Sequence, residues 1–156
     1  MAAVEFIEPT SEDLQVIADN MREADIAEIW ASHRSKPLDA VTRGAKNSEL
    51  CAVARIGGIP CAIIGLVAND VLTGTGTPWM LGTDYLMKHQ SALLRESPAI
   101  IKQMLNVCVV LYNYVHIDNK SSIRWLKWLG FNLKPAEKYG VGGELFYKFE
   151  MRCADV

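Results

Sequence analysis

The stretch ELCAVARIGGIPCAIIGLV (49–67) limits the available folds more than any other part of the chain. Two β-rich runs flank Gly57-Gly58, and both central residues of the tightest hairpin turns need positive φ, which glycine adopts at no steric cost. An antiparallel hairpin is therefore expected. With 156 residues and half of them hydrophobic, the chain is long enough for one domain with a single sizeable core, read here as spanning residues 1–156.

The flanking segments add further strands and helices. VEFIEP (4–9) alternates and ends at proline, as an opening strand would. Thr10 or Ser11 then caps a helix with Glu12 and Asp13 in its positive first turn, and apolar positions from Leu14 to Trp30 continue as two short helices or one interrupted helix. A further helix is expected over 37–46, with Pro37 at its first position. After the hairpin, VLTGTGT (71–77) reads as a loop and PWMLGTD (78–84) as a strand ending at Asp84. Ser97-Pro98 looks like a cap followed by a first-turn proline, opening a helix with Ile100, Ile101, Met104, Leu105 and Cys108 on one stripe. VVLYNYVHI (109–117) is a strand, and 119–129 is a helix stopped by Gly130, with Asn119 and Ser121 as candidate caps. FNLKP (131–135) and ELFYKFEM (144–151) close the chain as an antiparallel pair across a Gly140–Gly143 loop. The sum is an α/β (α+β) chain with a mixed central sheet of about six to seven strands flanked by helices, one strand–helix–strand unit being parallel.

Several functions find no support. Sixteen Lys+Arg against eighteen Asp+Glu leave a formal charge of -2, so binding to a nucleic acid has little global charge behind it, although Arg124, Trp125, Lys127 and Trp128 share one helix. No apolar run is long enough to span a bilayer, and none of the sequence reads as a signal peptide. Cys51, Cys61, Cys108 and Cys153 have no metal-ligand spacing, so no metal is expected and the thiols are read as reduced, buried residues of a cytosolic protein.

NKSSIRWLKWLGF (119–131), following its strand, resembles the segment Asn-x-x-(Ala/Ser)-Ile-x-Leu-Tyr-x-x-x-Gly-Phe of the GNAT N-acetyltransferases. Asn119, Ser122, Ile123, Gly130 and Phe131 fall on it in register. The resemblance implies a GNAT-like (acyl-CoA N-acyltransferase) fold, acetyl-CoA or CoA as cofactor, and Asn119 and Ser122 on the cofactor side. Members of that family hold the pyrophosphate on a Gln/Arg-x-x-Gly-x-Gly/Ala turn at a helix start, where N–H groups and the helix dipole meet the anion. The matching frame here, Arg95 to Ile100, makes Arg95 and Ser97 cofactor-binding candidates but puts Pro98, which has no N–H, and bulky Ile100 where small residues belong. A second frame from Gln90 puts Leu93 and Arg95 at those places. The family's tyrosine acid falls on Leu126, with Tyr112, Tyr114 and Tyr139 as substitutes. Asp84 and His116, at strand ends, are candidate catalytic bases.

NMREADIAEIWASH (20–33), PWMLGTD (78–84) and the helix followed by KYGVGG (138–143) are, in wording, similar to a family of phage and prophage proteins that includes the small internal virion protein of short-tailed coliphages. That resemblance implies other phage virion proteins as partners, the host cytoplasm and the virion as locations, and the acetyltransferase fold with degenerate catalytic machinery. Two functions follow as expectations: a virion assembly or DNA-delivery protein acting through protein contacts, or an active N-acetyltransferase moving an acetyl group from acetyl-CoA to an amine.

Overall fold

The computed structural model describes residues 3–153. Its elements run β1 (Val4–Ile7), α1 (Ser11–Asp19), α2 (Glu23–His33), α3 (Pro37–Asn47), β2 (Leu50–Ile56), β3 (Ile59–Asp70), β4 (Thr75–Gly82), α4 (Asp84–Lys88), α5 (Gln90–Val107), β5 (Val110–His116), α6 (Lys120–Leu129), β6 (Asn132–Leu133), β7 (Glu137–Tyr139) and β8 (Glu144–Arg152). One eight-stranded mixed sheet follows the order β1-β2-β3-β4-β5-β8-β6, with β7 also paired to β8. The fold class read from the sequence holds, and the additional strand is the short β7.

Alternation along the strands builds two cores. Val53, Ile63 and Leu81 point to one face, under Ile17 and Met21 of α1 and its flank and Val41 of α3. Ala54, Ile64 and Leu66 point to the other face and meet Leu93, Met104, Leu105 and Ile123 of α5 and α6. Gly57 and Gly58 both have positive φ, 60° and 78°, as the hairpin turn requires. Thr10 caps α1 in a reciprocal capping box with Asp13. Burial opposes ionisation of Asp13, but hydrogen bonds from Thr10 and Arg55 outweigh it and hold the carboxyl below its usual range.

Local expectations fail at four places. The strand expected to begin at 78 begins at Thr75, and the turn covers only 71–74, because Gly74 takes positive φ and hands its carbonyl to Val110. Asp84 does not end a strand; it is the first residue of α4, capped by Thr83. The long helix begins at Gln90, not at Ser97-Pro98: Pro98 lies inside it, and the buried Ser97 hydroxyl donates to the Leu93 carbonyl within the helix. Cys153 is exposed, unlike Cys61 and Cys108.

The site is positioned by one break in the sheet. β4 and β5 are parallel partners only at Thr75–Val110 and Gly76–Leu111, and beyond these pairs they diverge. The next donor in that ladder would be the amide of residue 78, and Pro78 has none. The Asn113 side-chain amide donates to the Pro78 carbonyl at 2.8 Å, and its oxygen accepts the Tyr114 N–H at 2.8 Å, which closes the apex of the gap.

Candidate functional site

The gap between β4 and β5 opens into a cavity of about 650 Å³ whose walls include Glu28, Ser32, His33, Arg43, Tyr112, Tyr114, Trp125 and Tyr139. Below it, on the α5–α6 side, lies a smaller apolar pocket bounded by Ile64, Met104, Leu126, Phe131 and Phe149.

Glu28, from α2, is the central ionisable group. One carboxylate oxygen accepts the backbone N–H of His116 at 2.7 Å and the other accepts the Asn119 Nδ2 at 2.9 Å, tying α2 to the end of β5 and the start of α6. Burial raises its pKa, the two hydrogen bonds partly offset this, and the nearby Asp25 charge adds to the rise; the carboxyl is pushed up to about 7. It therefore exchanges a proton near neutral pH, as a base acting on an amine must.

Arg22 and Asp25 form the second polar group. Two guanidinium nitrogens reach the two Asp25 oxygens at 3.1 and 2.7 Å, and the same guanidinium donates to the Ser121 and Ser122 hydroxyls. Asp25 in turn accepts the Gly82 N–H, and the Gly82 carbonyl accepts the Arg22 N–H. Arg22 is 7 % exposed and Asp25 2 %, so this is a buried pair in which nearly every donor and acceptor is used.

Of the candidates read from the sequence, the fold brings together His116, Asn119 and Ser122. His116 Nε2 bonds to Glu144 at 2.8 Å while Nδ1 accepts the Asp118 N–H, so the ring faces the β7–β8 side and its backbone serves Glu28. Asn119 stands at the N-cap of α6, but its side chain makes no cap and turns to Glu28 instead, leaving Oδ1 buried without a partner. Ser121 makes no cap either; it accepts from Arg22. Asp84 is exposed at the head of α4 and is not among the cavity-lining side chains. Arg95 is exposed on the second turn of α5 and Ser97 is buried inside that helix, so neither stands at its N-terminus. Leu126 lines both the cavity and the apolar pocket. Tyr114 and Tyr139 stack with ring centroids 3.8 Å apart; burial, and then the neighbouring Glu137 or Tyr114, pushes both phenols up, so they stay protonated.

Sequence reasoning missed Glu28, the Arg22–Asp25 pair and Asn113. A signal existed: Arg22, Asp25 and Glu28 recur every three residues along one helical segment, which places charges on a single face.

No family model matches the sequence, and no curated protein matches it. Solved structures match the fold over nearly the whole chain. A GNAT-family acetyltransferase from Bacillus anthracis aligns with TM-score 0.72 at 9% identity, covering 99% of both chains. An N-acetyltransferase from Staphylococcus aureus aligns with TM-score 0.71 at 13% identity, covering 98% of this chain and 99% of that one. A microcin self-immunity acetyltransferase, solved with acetyl-CoA and AMP, aligns with TM-score 0.72 at 11% identity, covering 96% of this chain and 92% of that one. Eight strands, a parallel pair that splays after two residue pairs, and these neighbours together establish that the chain has the fold of the GNAT acyl-CoA N-acyltransferases.

Proposed function

We propose that this chain is a phage-type protein built on the acetyltransferase fold, with catalytic machinery that is degenerate, acting through contacts with other virion proteins in assembly or DNA delivery. One observation carries the reading: Leu126 lines the cavity at the position where the family's tyrosine acid falls, and a hydrocarbon side chain cannot transfer a proton. The backbone amides at the end of β4 are also committed. Gly82 donates to Asp25, Thr83 to the Cys61 carbonyl, and Asp84 to the Asn20 carbonyl. The Ser121 and Ser122 hydroxyls at the facing helix start are engaged by Arg22. A pyrophosphate placed there would have to displace these bonds, each buried polar group so released being costly. The wording of residues 20–33, 78–84 and 138–143 supports the phage origin.

The test is calorimetric titration of acetyl-CoA into the purified chain. No saturable heat at millimolar ligand is expected. Saturable micromolar binding would overturn the reading.

A second reading, an active N-acetyltransferase using acetyl-CoA and an amine, is favoured by Glu28. Its carboxylate, pushed to about 7, could take the proton from an attacking amine at the cavity wall, with Tyr139 as a protonated phenol nearby. Release of free CoA thiol with an amine panel, abolished by Glu28→Gln while CoA affinity is kept, would establish it.

A further inference from the structure

We propose that the outer face of α2 is a self-association surface, on which a second copy of this chain packs its own α2 antiparallel across a two-fold axis. Glu28 and Ser32 line the cavity from the opposite side of the same helix, so this surface goes beyond the function proposed above and does not depend on it.

α2 is an 11-residue helix whose inner side buries Asp25, Ala31 and Ser32. A helix at the surface of a globular chain ordinarily gives its outer side to charged and polar residues. Here the outward positions are Glu23, Ala27, Trp30 and Arg34, all exposed and separated by four, three and four residues. That is the spacing of a seam between two helices. Trp30 is 49 % exposed, and Ile26, which widens the apolar strip on one side, is 38 % exposed. An indole is costly to leave in water, and tryptophan and arginine are the side chains that most often anchor protein contacts. Arg34, which ends the helix in the left-handed conformation, is already set in place. Its guanidinium donates to the Trp30 carbonyl at 3.0 Å and lies over the indole ring, 5.3 Å from the centroid.

The order of these residues makes the face complementary to itself. When two copies of α2 run antiparallel about an axis midway between Glu28 and Ile29, Trp30 of each copy lies opposite the partner's Ala27, and Glu23 of each lies opposite the partner's Arg34. The largest side chain of the seam meets the smallest, which lets the two helices approach closely. Opposite charges then close both ends of the seam, whereas a parallel pair would set Glu23 against Glu23 and Arg34 against Arg34. Spacing, size and charge thus select one partner and one orientation, an isologous dimer. A foreign helix would have to supply the same residues in the same order; a second copy already carries them. The contact is short, so a dissociation constant on the order of 10–100 μM is expected.

Sedimentation velocity of the full chain, from about 5 μM to about 1 mM, should show monomer converting to dimer. Trp30→Ala should weaken the dimer about tenfold or more; Ala27→Glu, at an exposed helix position, should do the same and covers the case in which Trp30→Ala does not fold. Glu23→Lys and Arg34→Glu each turn two attractive pairs into repulsive ones and should each weaken self-association about tenfold. An equimolar mixture of these two variants should recover the dimer, because each reversed charge then faces the other and the two natural charges face each other. A monomer throughout the concentration range, an undiminished dimer in folded Trp30→Ala or Ala27→Glu, or a mixture of the charge variants no stronger than either alone would each overturn the proposal. None of these outcomes depends on whether the cavity binds CoA, so the calorimetric test of the proposed function succeeds or fails separately.

Discussion

At the scale of single residues, Glu28 is a carboxylate held in an unfavourable place. Its native pKa of about 7 lies above the ordinary 4.5, so the folded state binds this proton more tightly than the unfolded chain does. The sign follows: Glu28 costs nothing below the unfolded value, and its ionisation removes stability as pH rises through the interval up to about 7. Glu28→Gln should therefore be more stable than the natural chain at pH 8, by on the order of 1–3 kcal/mol, and differ little at pH 5, as read from urea midpoints. A glutamine oxygen can still accept the His116 N–H, and its amide can serve the orphan Asn119 oxygen once the Asn119 amide turns over. Equal pH dependence in both proteins would show that Glu28 ionises normally.

Individual glycines matter for a different reason. Trp79 lies against Gly44 of α3 and Gly65 of β3, and a Cβ at either position would overlap its indole ring. The ring is also fixed by its N–H to the Ser48 hydroxyl at 2.7 Å, so it cannot simply swing away. Gly65→Ala should destabilise the chain by roughly 1–3 kcal/mol in chemical denaturation, the usual cost of overpacking.

At the scale of elements, the Arg22–Asp25 pair is the clasp between α2, the end of β4 and the head of α6. Arg22→Met removes one charge and leaves Asp25 buried among apolar neighbours, so a loss of about 3–5 kcal/mol is expected in thermal or urea unfolding. A double variant with Asp25→Leu should recover part of that loss, because the uncompensated charge disappears with it; strict additivity of the two changes would argue against coupling. The loop after β7 is a second clasp. Val141 and Gly142 donate their N–H groups to the Ser32 and Ala31 carbonyls at the end of α2, and Gly140, with φ 79°, has no room for a Cβ against Ser32. The KYGVGG wording thus answers a helix terminus far away in the sequence.

At the scale of the whole molecule, the divergence of β4 from β5 makes the cavity, and its first cause is one proline in the ladder. Pro78→Val would restore the missing donor, so the gap should narrow at its apex, and the Met80 amide should exchange with solvent more slowly in hydrogen-exchange measurements. Unchanged protection at Met80 would mean that the side chains filling the cleft, and not the ladder, hold the strands apart.

What could be read without the fold was what short-range physics controls. The Gly57-Gly58 hairpin, the Thr10 cap, Pro37 at the head of α3 and Gly130 at the end of α6 each depend on the conformational freedom or hydrogen bonding of a few adjacent residues. Period-two and helical patterns then gave the order of elements and a covered mixed sheet. The Ser97-Pro98 start failed because a proline costs a helix less once the helix is packed: α5 buries Leu93, Ser97 and Met104 on one side, and that packing carries the helix through Pro98. The site was legible only in part. Asn119, Ser122 and His116 could be found from a local motif, but Glu28 meets His116 across 88 residues of chain and Asn119 across 91. Neither that contact, nor the burial that moves the Glu28 proton, nor the commitment of the Gly82, Thr83 and Asp84 amides has a local signature. The sequence alone determined which segments could be strands and helices; the packing of α2 against the sheet and α6 decided which polar groups were satisfied and which, the Asn119 side-chain oxygen and the Trp125 indole N–H, were left without a hydrogen bond.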